Sequence, residues 1–319
     1  MTGTPVTWGL IGTTGWAAQA FAPAILAGGG RLLGGVGGTA ENSKAFAARF
    51  GLERSYRSVE ELLADDRVEA LWIASPNYLH FRHAMLALEA DKHVLLEKPM
   101  ATSTTEAQQL AAKAQQVKCM TAVGYQHRFN PAHQCLRQVL RNGDVGRVSL
   151  IRLHHFAPSV ELPPTWRQSL ETSGGWAVND LGTHLVDLLR FLLGEVVLVG
   201  AQLCAPYFHL PTDDLAALLL QCEEAIGIVD VSRGAPGGPS RFEFYGTLDF
   251  GTLVDSWGGG GRLRIGQTLR EFPVVDTYVS QVRAFNEAIR GSTWEGASWA
   301  DGLAAVQVIE RARMTSYSS

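Results

Sequence analysis

The pattern of hydrophobic positions changes near residue 124. Before that point, short apolar runs alternate with segments whose apolar residues recur at helical spacing, which is typical of the βαβ units of a parallel sheet. The runs that predict strands are 6–11, 32–36, 55–57, 70–74, 93–97 and 120–124. The segments that predict helices are 15–27, 42–50, 59–64, 79–90 and 104–117. Residues 1–124 therefore predict an α/β domain with a parallel, doubly wound sheet.

Residues 125–319 show a second pattern, in which strand-like runs follow one another with few helices between them. These runs are 147–156, 196–203, 215–222, 225–232, 241–245 and 252–255. Predicted helices cover 131–141, 179–193, 278–290 and 300–314, and we expect the last helix to pack back on the first domain. Residues 258–261 predict a flexible turn. Since turns join neighbouring runs, we expect an α+β domain with an open, mainly antiparallel sheet.

Charge and composition exclude several kinds of partner. The 27 Lys and Arg residues do not cluster, and the formal net charge is −4, so we expect no nucleic-acid binding. No segment approaches the roughly 18 to 20 apolar residues that span a bilayer. The start of the chain lacks the basic region of a signal peptide, and the cysteines are too widely spaced for a zinc or disulfide motif. We therefore expect a cytoplasmic protein with reduced thiols.

The segment Gly12-Thr13-Thr14-Gly15-Trp16 lies where the first predicted strand passes into a helix. This is the context of a dinucleotide-binding turn, in which backbone N–H groups at a helix start face the pyrophosphate. A tight turn without a ligand fits the segment equally well. The second strand ends in Gly38 and Thr39 without the acidic residue that favours NAD or an Arg that favours NADP. We expect NADP or NAD and favour NADP, with Thr39 and Lys44 near its phosphate.

Two further predicted strands end in polar motifs. Ser75-Pro76-Asn77 follows the fourth strand, with His80 one helical turn later, and Glu97-Lys98 ends the fifth. Ligands bind at the carboxyl ends of parallel strands, so Lys98 is a candidate proton donor or electrostatic clamp for a reacting oxygen. A structural pair of Lys98 with Glu97 is the alternative. We expect the lysines Lys92, Lys113 and Lys118 to be solvated.

Asp180 and His184 stand four residues apart on a predicted helix and therefore share one face. A histidine oriented by a carboxylate suits acid–base work on an alcohol or ketone, although a purely structural pair has the same spacing. We expect no metal, because no third ligand is near and His154 and His155 would point to opposite faces of a strand.

Taken in order, these motifs resemble the Gfo/Idh/MocA family of NAD(P)-dependent oxidoreductases over nearly the whole chain. The matching segments are the Gly12 turn, Ala74–Asn77 with His80, Glu97–Pro99, Gly124–Pro131, Trp166–Arg167, Gly174–His184 and Leu193–Gly194. Thr14 and Trp176 depart from the family pattern, which often has glycine at both positions.

The resemblance implies a fold and a set of site residues. It implies a Rossmann domain followed by an open antiparallel sheet, with catalytic roles for Lys98, Asp180 and His184. The expected cofactor-binding residues are Gly12, Thr13, Thr14, Gly15, Trp16, Gly38, Thr39, Ser75, Pro76, Asn77, His80, Glu97, Lys98, Gln126 and Arg167. The expected substrate-binding residues are Tyr125, Trp166, Asp180 and His184, although ordinary core packing also accounts for the two aromatic residues.

The resemblance also implies an activity. We expect hydride transfer between nicotinamide and a hydroxyl or keto carbon of a sugar, cyclitol or related polyol. The family includes NAD-dependent glycosidases and a catalytically silent NAD-binding corepressor, so a hydrolase and a sensor or scaffold are the alternatives.

We expect a homodimer or homotetramer that forms through the sheet of the second domain.

Overall fold

The computed structural model describes residues 4–317. Residues 1–3 and 318–319, which the expected domain bounds include, lie outside the described part. The chain forms two compact units, the first of which contains Met1–Ala101, Thr105–Gln126 and Asp276–Leu303. The second contains Thr102–Thr104, His127–Val275 and Ala304–Ser319. This division differs from the single expected boundary at 124/125, because segment 276–303 joins the first unit.

The sheet of the first unit has the order β3-β2-β1-β4-β5-β6, and all its strands are parallel. The strands are β1 (Thr7–Ile11), β2 (Arg31–Val36), β3 (Arg54–Ser55), β4 (Ala70–Ile73), β5 (His93–Leu96) and β6 (Thr121–Val123). Every residue of the two central strands β1 and β4 is buried, as expected for strands with helices on both faces. The predicted Rossmann-like fold is confirmed.

Helices connect these strands. They are α1 (Ala22–Ala27), α2 (Ala40–Phe50), α3 (Val59–Leu63), α4 (Asn77–Glu89) and α5 (Thr104–Ala114), and a π-helical turn, Ala17–Phe21, leads into α1. Later in the chain, α9 (Thr277–Ile289) belongs to the same unit. The ring of Phe285 in α9 lies 5.4 Å from that of Trp8, and Trp8 Nε1 donates to Asn286 Oδ1 at 3.0 Å. These contacts explain why segment 276–303 belongs to the first unit and not to the second.

The second unit contains a sheet with the order β14-β13-β12-β11-β7-β10-β9-β8. Only β7 and β10 pair in parallel among its described strands. The strands are β7 (Val148–Phe156), β8 (Val196–Cys204), β9 (Leu215–Cys222), β10 (Ala225–Ser232), β11 (Arg241–Gly246), β12 (Phe250–Val254), β13 (Gly261–Ile265) and β14 (Thr268–Phe272). The expected mainly antiparallel sheet is confirmed, but β13 and β14 were not predicted.

The helices of this unit are α6 (Pro131–Asn142), α7 (Leu170–Ser173) and α8 (Thr183–Leu193), and α10 (Trp299–Tyr317) divides between the two units. A π-helical turn, Val178–Gly182, precedes α8, and short 3₁₀ turns cover Gln126–Phe129 and Thr165–Gln168. The expected helix over 179–193 is therefore a π turn continued by an α-helix.

One lysine lies elsewhere than expected. Lys92 is only 7% exposed, and its Nζ donates to the carbonyl oxygens of Val68 at 2.8 Å and Asp65 at 3.2 Å. The expectation of a solvated side chain is wrong for this residue, because its ammonium group satisfies the carbonyls of the segment that follows α3.

Within residues 4–317, no helix is long and apolar enough to cross a membrane.

Candidate active site

The glycine turn after β1 can be built only with glycine at its first position. Gly12 has φ +101°, and a Cβ there would lie 2.5 Å from the carbonyl oxygen of Ala74. Thr14 lies outside the left-handed region, so the backbone conformation at this position does not require glycine. Thr14, Gly15 and Trp16 are exposed, whereas Thr13 is buried.

The segment that follows β2 leads directly into α2. Thr39 Oγ1 caps this helix by accepting from Asn42 N at 3.2 Å, and Ser43 Oγ accepts from Gly37 N at 2.9 Å. A Cβ on Gly38 would meet no atom within 4 Å. The backbone at Gly38 therefore borders open space, while Lys44 is exposed on the first turns of α2.

The ends of β4 and β5 are joined by His80. Its Nδ1 lies 2.7 Å from the Pro99 carbonyl oxygen, and its Nε2 lies 2.8 Å from that of Ser75. Burial lowers the pKa of His80 to about 4, although both carbonyl contacts act to raise it. His80 therefore contacts both expected cofactor motifs. Pro76 and Asn77, which follow Ser75 in the chain, lie at the start of α4.

Glu97 is buried beside the candidate catalyst Lys98, which is partly buried. Its Oε1 accepts from Trp72 Nε1 at 3.0 Å, and its Oε2 accepts from the backbone N–H of Lys98 at 3.4 Å. Burial raises the pKa of Glu97 to about 7, while the positive charge of Lys98 and the Trp72 bond oppose that rise. A carboxyl that titrates near neutrality thus lies next to the ammonium of Lys98.

Tyr278 of α9 brings together two expected cofactor residues. Its hydroxyl accepts from Trp16 Nε1 and from Gln126 Nε2, both at 3.0 Å. Its ring packs edge-on against Phe21, with centroids 5.3 Å apart. Tyr125, the expected substrate residue next to Gln126, is buried. No sequence pattern indicates these contacts of Tyr278, because it lies more than 150 positions from both partners.

In the second unit, the π turn and α8 carry Asp180 and His184. Asp180 N donates to the Trp176 carbonyl oxygen at 2.7 Å. The His184 side chain is buried, whereas Asp180 retains some exposure. π-Helical turns are rare and occur often at functional sites, so this local irregularity coincides with the two predicted catalytic residues.

Two arginines flank Asp180. Arg167 Nη1 lies 3.5 Å and Arg233 Nε lies 3.6 Å from Asp180 Oδ2. Arg167 stacks over the ring of Trp166 at 4.9 Å, and Arg233 lies 5.8 Å from the centroid of Trp176. Two positive charges therefore lie beside one carboxylate, and Arg233 was not predicted.

The ring of His184 belongs to a cluster around Trp257. The centroids of His184 and Trp257 are 5.4 Å apart, and His127 lies 4.9 Å from His184 and 4.2 Å from Trp257. His155 stacks on Trp257 at 3.8 Å with an interplanar angle of 17°. Burial lowers the pKa of His155 to about 4, so this ring is neutral at pH 7. The cluster restricts the orientation of His184 by packing.

Two models of one protein family match the chain. The oxidoreductase family with an NAD-binding Rossmann fold matches residues 6–125, and the C-terminal domain of the GFO/IDH/MocA family matches residues 133–249. The chain belongs to the Gfo/Idh/MocA family.

Relatives of this Gfo/Idh/MocA protein extend over almost its full length. The 1,5-anhydro-D-fructose reductase of Ensifer adhaerens is 28% identical, with 93% of this chain and 92% of the relative covered. A 3-ketoreductase from Actinomadura kijaniata, solved with NADP and TDP-benzene, has a TM-score of 0.86 at 22% identity and covers 98% of each chain. Levoglucosan dehydrogenase, solved with NADH and L-sorbose, has a TM-score of 0.87 at 22% identity, with 99% of this chain and 98% of that chain covered. The two structures establish the fold.

The predicted site residues of this Gfo/Idh/MocA protein divide between the two units. The first unit holds Gly12, Thr13, Thr14, Gly15, Trp16, Gly38, Thr39, Ser75, Pro76, Asn77, His80, Glu97, Lys98, Tyr125 and Gln126. The second unit holds Trp166, Arg167, Asp180 and His184. Arg167, expected to bind cofactor, pairs with Asp180. Within the described residues, no group of three potential metal ligands occurs.

The residues of the first unit fit a dinucleotide. Thr13 Oγ1 is buried and has no hydrogen-bond partner within residues 4–317, so it can bond to a ligand. The backbone of Gly12 packs closely against Ala74, and the open space beside Gly38 leaves room for a bound group. These features follow the strands β1 and β2, which lie within residues 6–125, the range that the NAD-binding family model matches.

Proposed function

We propose that this protein is an NAD(P)-dependent oxidoreductase that transfers a hydride between nicotinamide and a hydroxyl or keto carbon of a sugar, cyclitol or related polyol. The observation that carries the proposal is that one chain has both a turn that fits a dinucleotide and a helix that bears His184 and Asp180, with two arginines beside Asp180. The named relatives, a reductase of an anhydrosugar and a dehydrogenase of levoglucosan, support the substrate class.

Each candidate catalytic residue has a defined task. NAD(P), when bound, supplies or accepts the hydride. Lys98, which follows the end of β5, stabilises negative charge on the reacting oxygen of the substrate, because its ammonium group is positively charged. His184 exchanges the proton of the substrate hydroxyl. Asp180 binds neighbouring hydroxyls, and its contacts with Arg167 and Arg233 keep its carboxylate in one orientation.

The neighbouring residues support these tasks. Trp257 and His127 pack against the ring of His184, so the ring does not turn freely between proton transfers. Glu97 lies directly before Lys98 and bonds to its backbone N–H, which fixes the backbone from which the ammonium extends. His80 lies between the carbonyl groups of Ser75 and Pro99 and so packs between the two loops that are expected to bind the cofactor.

NADP is the preferred cofactor in this proposal. The β2 end lacks an acidic residue at the positions 36–39, and such a residue would repel a 2′-phosphate. Open space beside Gly38, the helix start at Thr39 and the exposed Lys44 favour that phosphate. Turnover with NADPH that exceeds turnover with NADH at equal concentrations is the expected result, and a strong preference for NADH would refute it.

We also propose that two copies of the chain associate through the open face of the second sheet. Directly paired residues form a row across six strands of this face: Val197, Gln221, Ile226, Leu150, Tyr245 and Phe250. Paired residues in neighbouring strands lie on the same face, and four members of the row are exposed hydrophobic side chains. Soluble monomers rarely expose an apolar patch of this kind.

Cytoplasmic localisation stays a prediction.

A substrate screen tests the activity. For the oxidative direction, purified protein is mixed with sugars, anhydrosugars or inositols and with NAD or NADP. For the reductive direction, it is mixed with the corresponding ketoses and ketosugars and with the reduced cofactors. The absorbance of reduced nicotinamide is followed. Turnover of a polyol or its ketone supports the proposal. Release of a free sugar from a glycoside without net change in reduced cofactor indicates a glycosidase, and tight cofactor binding without any turnover indicates a sensor or scaffold.

A further inference from the structure

The helix that bears Asp180 and His184 begins with backbone groups that bond to one distant residue. Trp176 N donates to Asp213 Oδ1 at 3.0 Å, and Val178 N donates to Asp213 Oδ2 at 2.7 Å. Between them, Ala177 N donates to the carbonyl oxygen of Asp213 at 3.0 Å. Three consecutive N–H groups are therefore satisfied by a single aspartate.

This aspartate replaces a local helix cap. The π turn Val178–Gly182 has no side-chain cap at its own N-terminus, although the first N–H groups of any helix lack partners within the helix. The carboxylate of Asp213 supplies the acceptors and a negative charge at the positive end of the helix. Gly175 lies against it, since a Cβ at this residue, with φ +114°, would approach Asp213 Oδ1 to 2.7 Å.

Asp213 itself is fixed to the sheet through Asp214. The backbone N of Asp214 donates to the Cys204 carbonyl oxygen at 3.0 Å, and its carbonyl oxygen accepts from Arg233 N at 2.8 Å. Ser232 Oγ donates to the same carbonyl oxygen at 2.8 Å. The segment before β9 is thus tied to the ends of β8 and β10, and the helix start is tied to that segment.

We propose that Asp213 is a positioning residue for the oxidoreductase reaction: its carboxylate fixes the start of the π turn to the sheet and so holds Asp180 and His184 in their reactive positions. Asp180 lies two residues beyond the last clamped N–H, that of Val178. Arg233, whose side chain flanks Asp180, is bonded through its backbone to Asp214. The carboxylate of Asp213 and the backbone carbonyl of Asp214 therefore position the two sides of the contact between Asp180 and Arg233.

The ionisation of Asp213 agrees with this role. Burial raises the pKa of its carboxyl to about 6, while the N–H groups of Val178 and Trp176 oppose the rise. At neutral pH the carboxylate form is therefore populated, and only this form offers both oxygens as unprotonated acceptors.

Asp214 provides a matched control. Both side chains are 0% exposed, and the carboxylate of Asp214 also accepts from two N–H groups, those of Tyr207 at 3.1 Å and Phe208 at 2.7 Å. Those groups belong to a loop and not to the helix start. Asp213→Asn and Asp214→Asn therefore remove one buried carboxylate each from adjacent positions, and only the first loosens the segment 176–178.

The first measurement is hydrogen exchange followed by mass spectrometry on the full chain, without substrate. In Asp213→Asn we expect exchange in peptides that cover 174–184 to accelerate about tenfold or more. In Asp214→Asn we expect acceleration around 205–210 and less than about twofold change at 174–184. Equal exchange of 174–184 in wild type and Asp213→Asn would overturn the proposal. If Asp213→Asn does not fold, Asp213→Glu, which keeps the charge but shifts the oxygens, is measured in its place.

The second measurement rests on the proposed function and uses a substrate found in the screen. We expect kcat of Asp213→Asn to fall about 10- to 100-fold with the KM for the cofactor unchanged, whereas a general loss of folded protein would lower the cofactor-binding stoichiometry as well. Faster exchange with an unchanged kcat would show that Asp213 is merely structural and would overturn the proposal. If wild type turns over no substrate, the proposed function fails, while the exchange data still decide whether Asp213 holds the helix start.

Discussion

The indole Nε1 of Trp72 donates a hydrogen bond of 3.0 Å to Oε1 of Glu97, so that β4 supports the motif at the end of β5. The carboxyl lies in a tight space, because a Cβ on Gly124 would come within 2.5 Å of the same oxygen. The ring of Phe21 stacks on the Trp72 indole at 4.3 Å with an interplanar angle of 16°. The acid before Lys98 is therefore held by β4, and its burial determines how it titrates.

The titration of Glu97 predicts a pH dependence of stability. Burial raises its pKa from 4.5 to about 7 in the folded chain. Between these values the folded state keeps a proton that the unfolded state loses, so its contribution to the free energy of unfolding is complete below 4.5 and is lost as the pH rises to about 7. The loss is about 3 kcal/mol. Denaturant unfolding from acidic to mildly alkaline pH measures it.

Glu97→Gln separates this contribution from those of other groups. Glutamine has nearly the same shape but does not titrate, so the difference in unfolding free energy between wild type and variant should shift in favour of the variant as the pH rises. Curves that run parallel across this pH range would show that Glu97 titrates normally.

Trp72→Phe removes the donor to Glu97 while it keeps an aromatic ring against Phe21. Because the Trp72 bond favours the ionised carboxylate, the variant should be destabilised by about 1 to 3 kcal/mol above pH 7. The loss should be smaller at pH 5, where Glu97 is protonated. Thermal unfolding at both pH values measures the difference, and an equal loss at both would assign it to packing alone.

Lys98→Ala and His184→Ala test the catalytic assignments. Each variant should lose about 10²- to 10⁴-fold in kcat on an identified polyol, because the reacting oxygen then lacks its cation or its proton acceptor. Both variants should remain folded, and His184→Ala should keep the cofactor affinity of wild type. Lys118→Ala, at an exposed lysine, is the matched control and should keep full activity. Wild-type turnover in either test variant would remove that residue from the mechanism.

The sequence predicted the first sheet because its central strands are buried apolar runs, and the ordered motifs predicted the family. It did not predict β14, since four of the five residues of this strand are exposed and show no apolar alternation. Arg233, Asp213 and Tyr278 were also not singled out. Their contacts join residues far apart in the chain, such as Val178 and Asp213 at a separation of 35, and no local pattern indicates such pairs. Lys92 was misjudged for the same reason, because its two carbonyl acceptors come from another segment.

Ile226→Lys tests the association of two chains through the second sheet. Ile226 lies within the exposed row and is paired with Gln221 on one side and Leu150 on the other. It is 48% exposed, so a lysine is tolerated by the single chain but brings a charge into an apolar contact between chains. Light scattering after size exclusion should give a multiple of 34.5 kDa for wild type and a shift towards the single chain for the variant. Val274→Lys, at a loop position that is 78% exposed and outside the row, should keep the wild-type mass. A wild-type mass of 34.5 kDa, or equal dissociation of both variants, would show that this face does not join two chains.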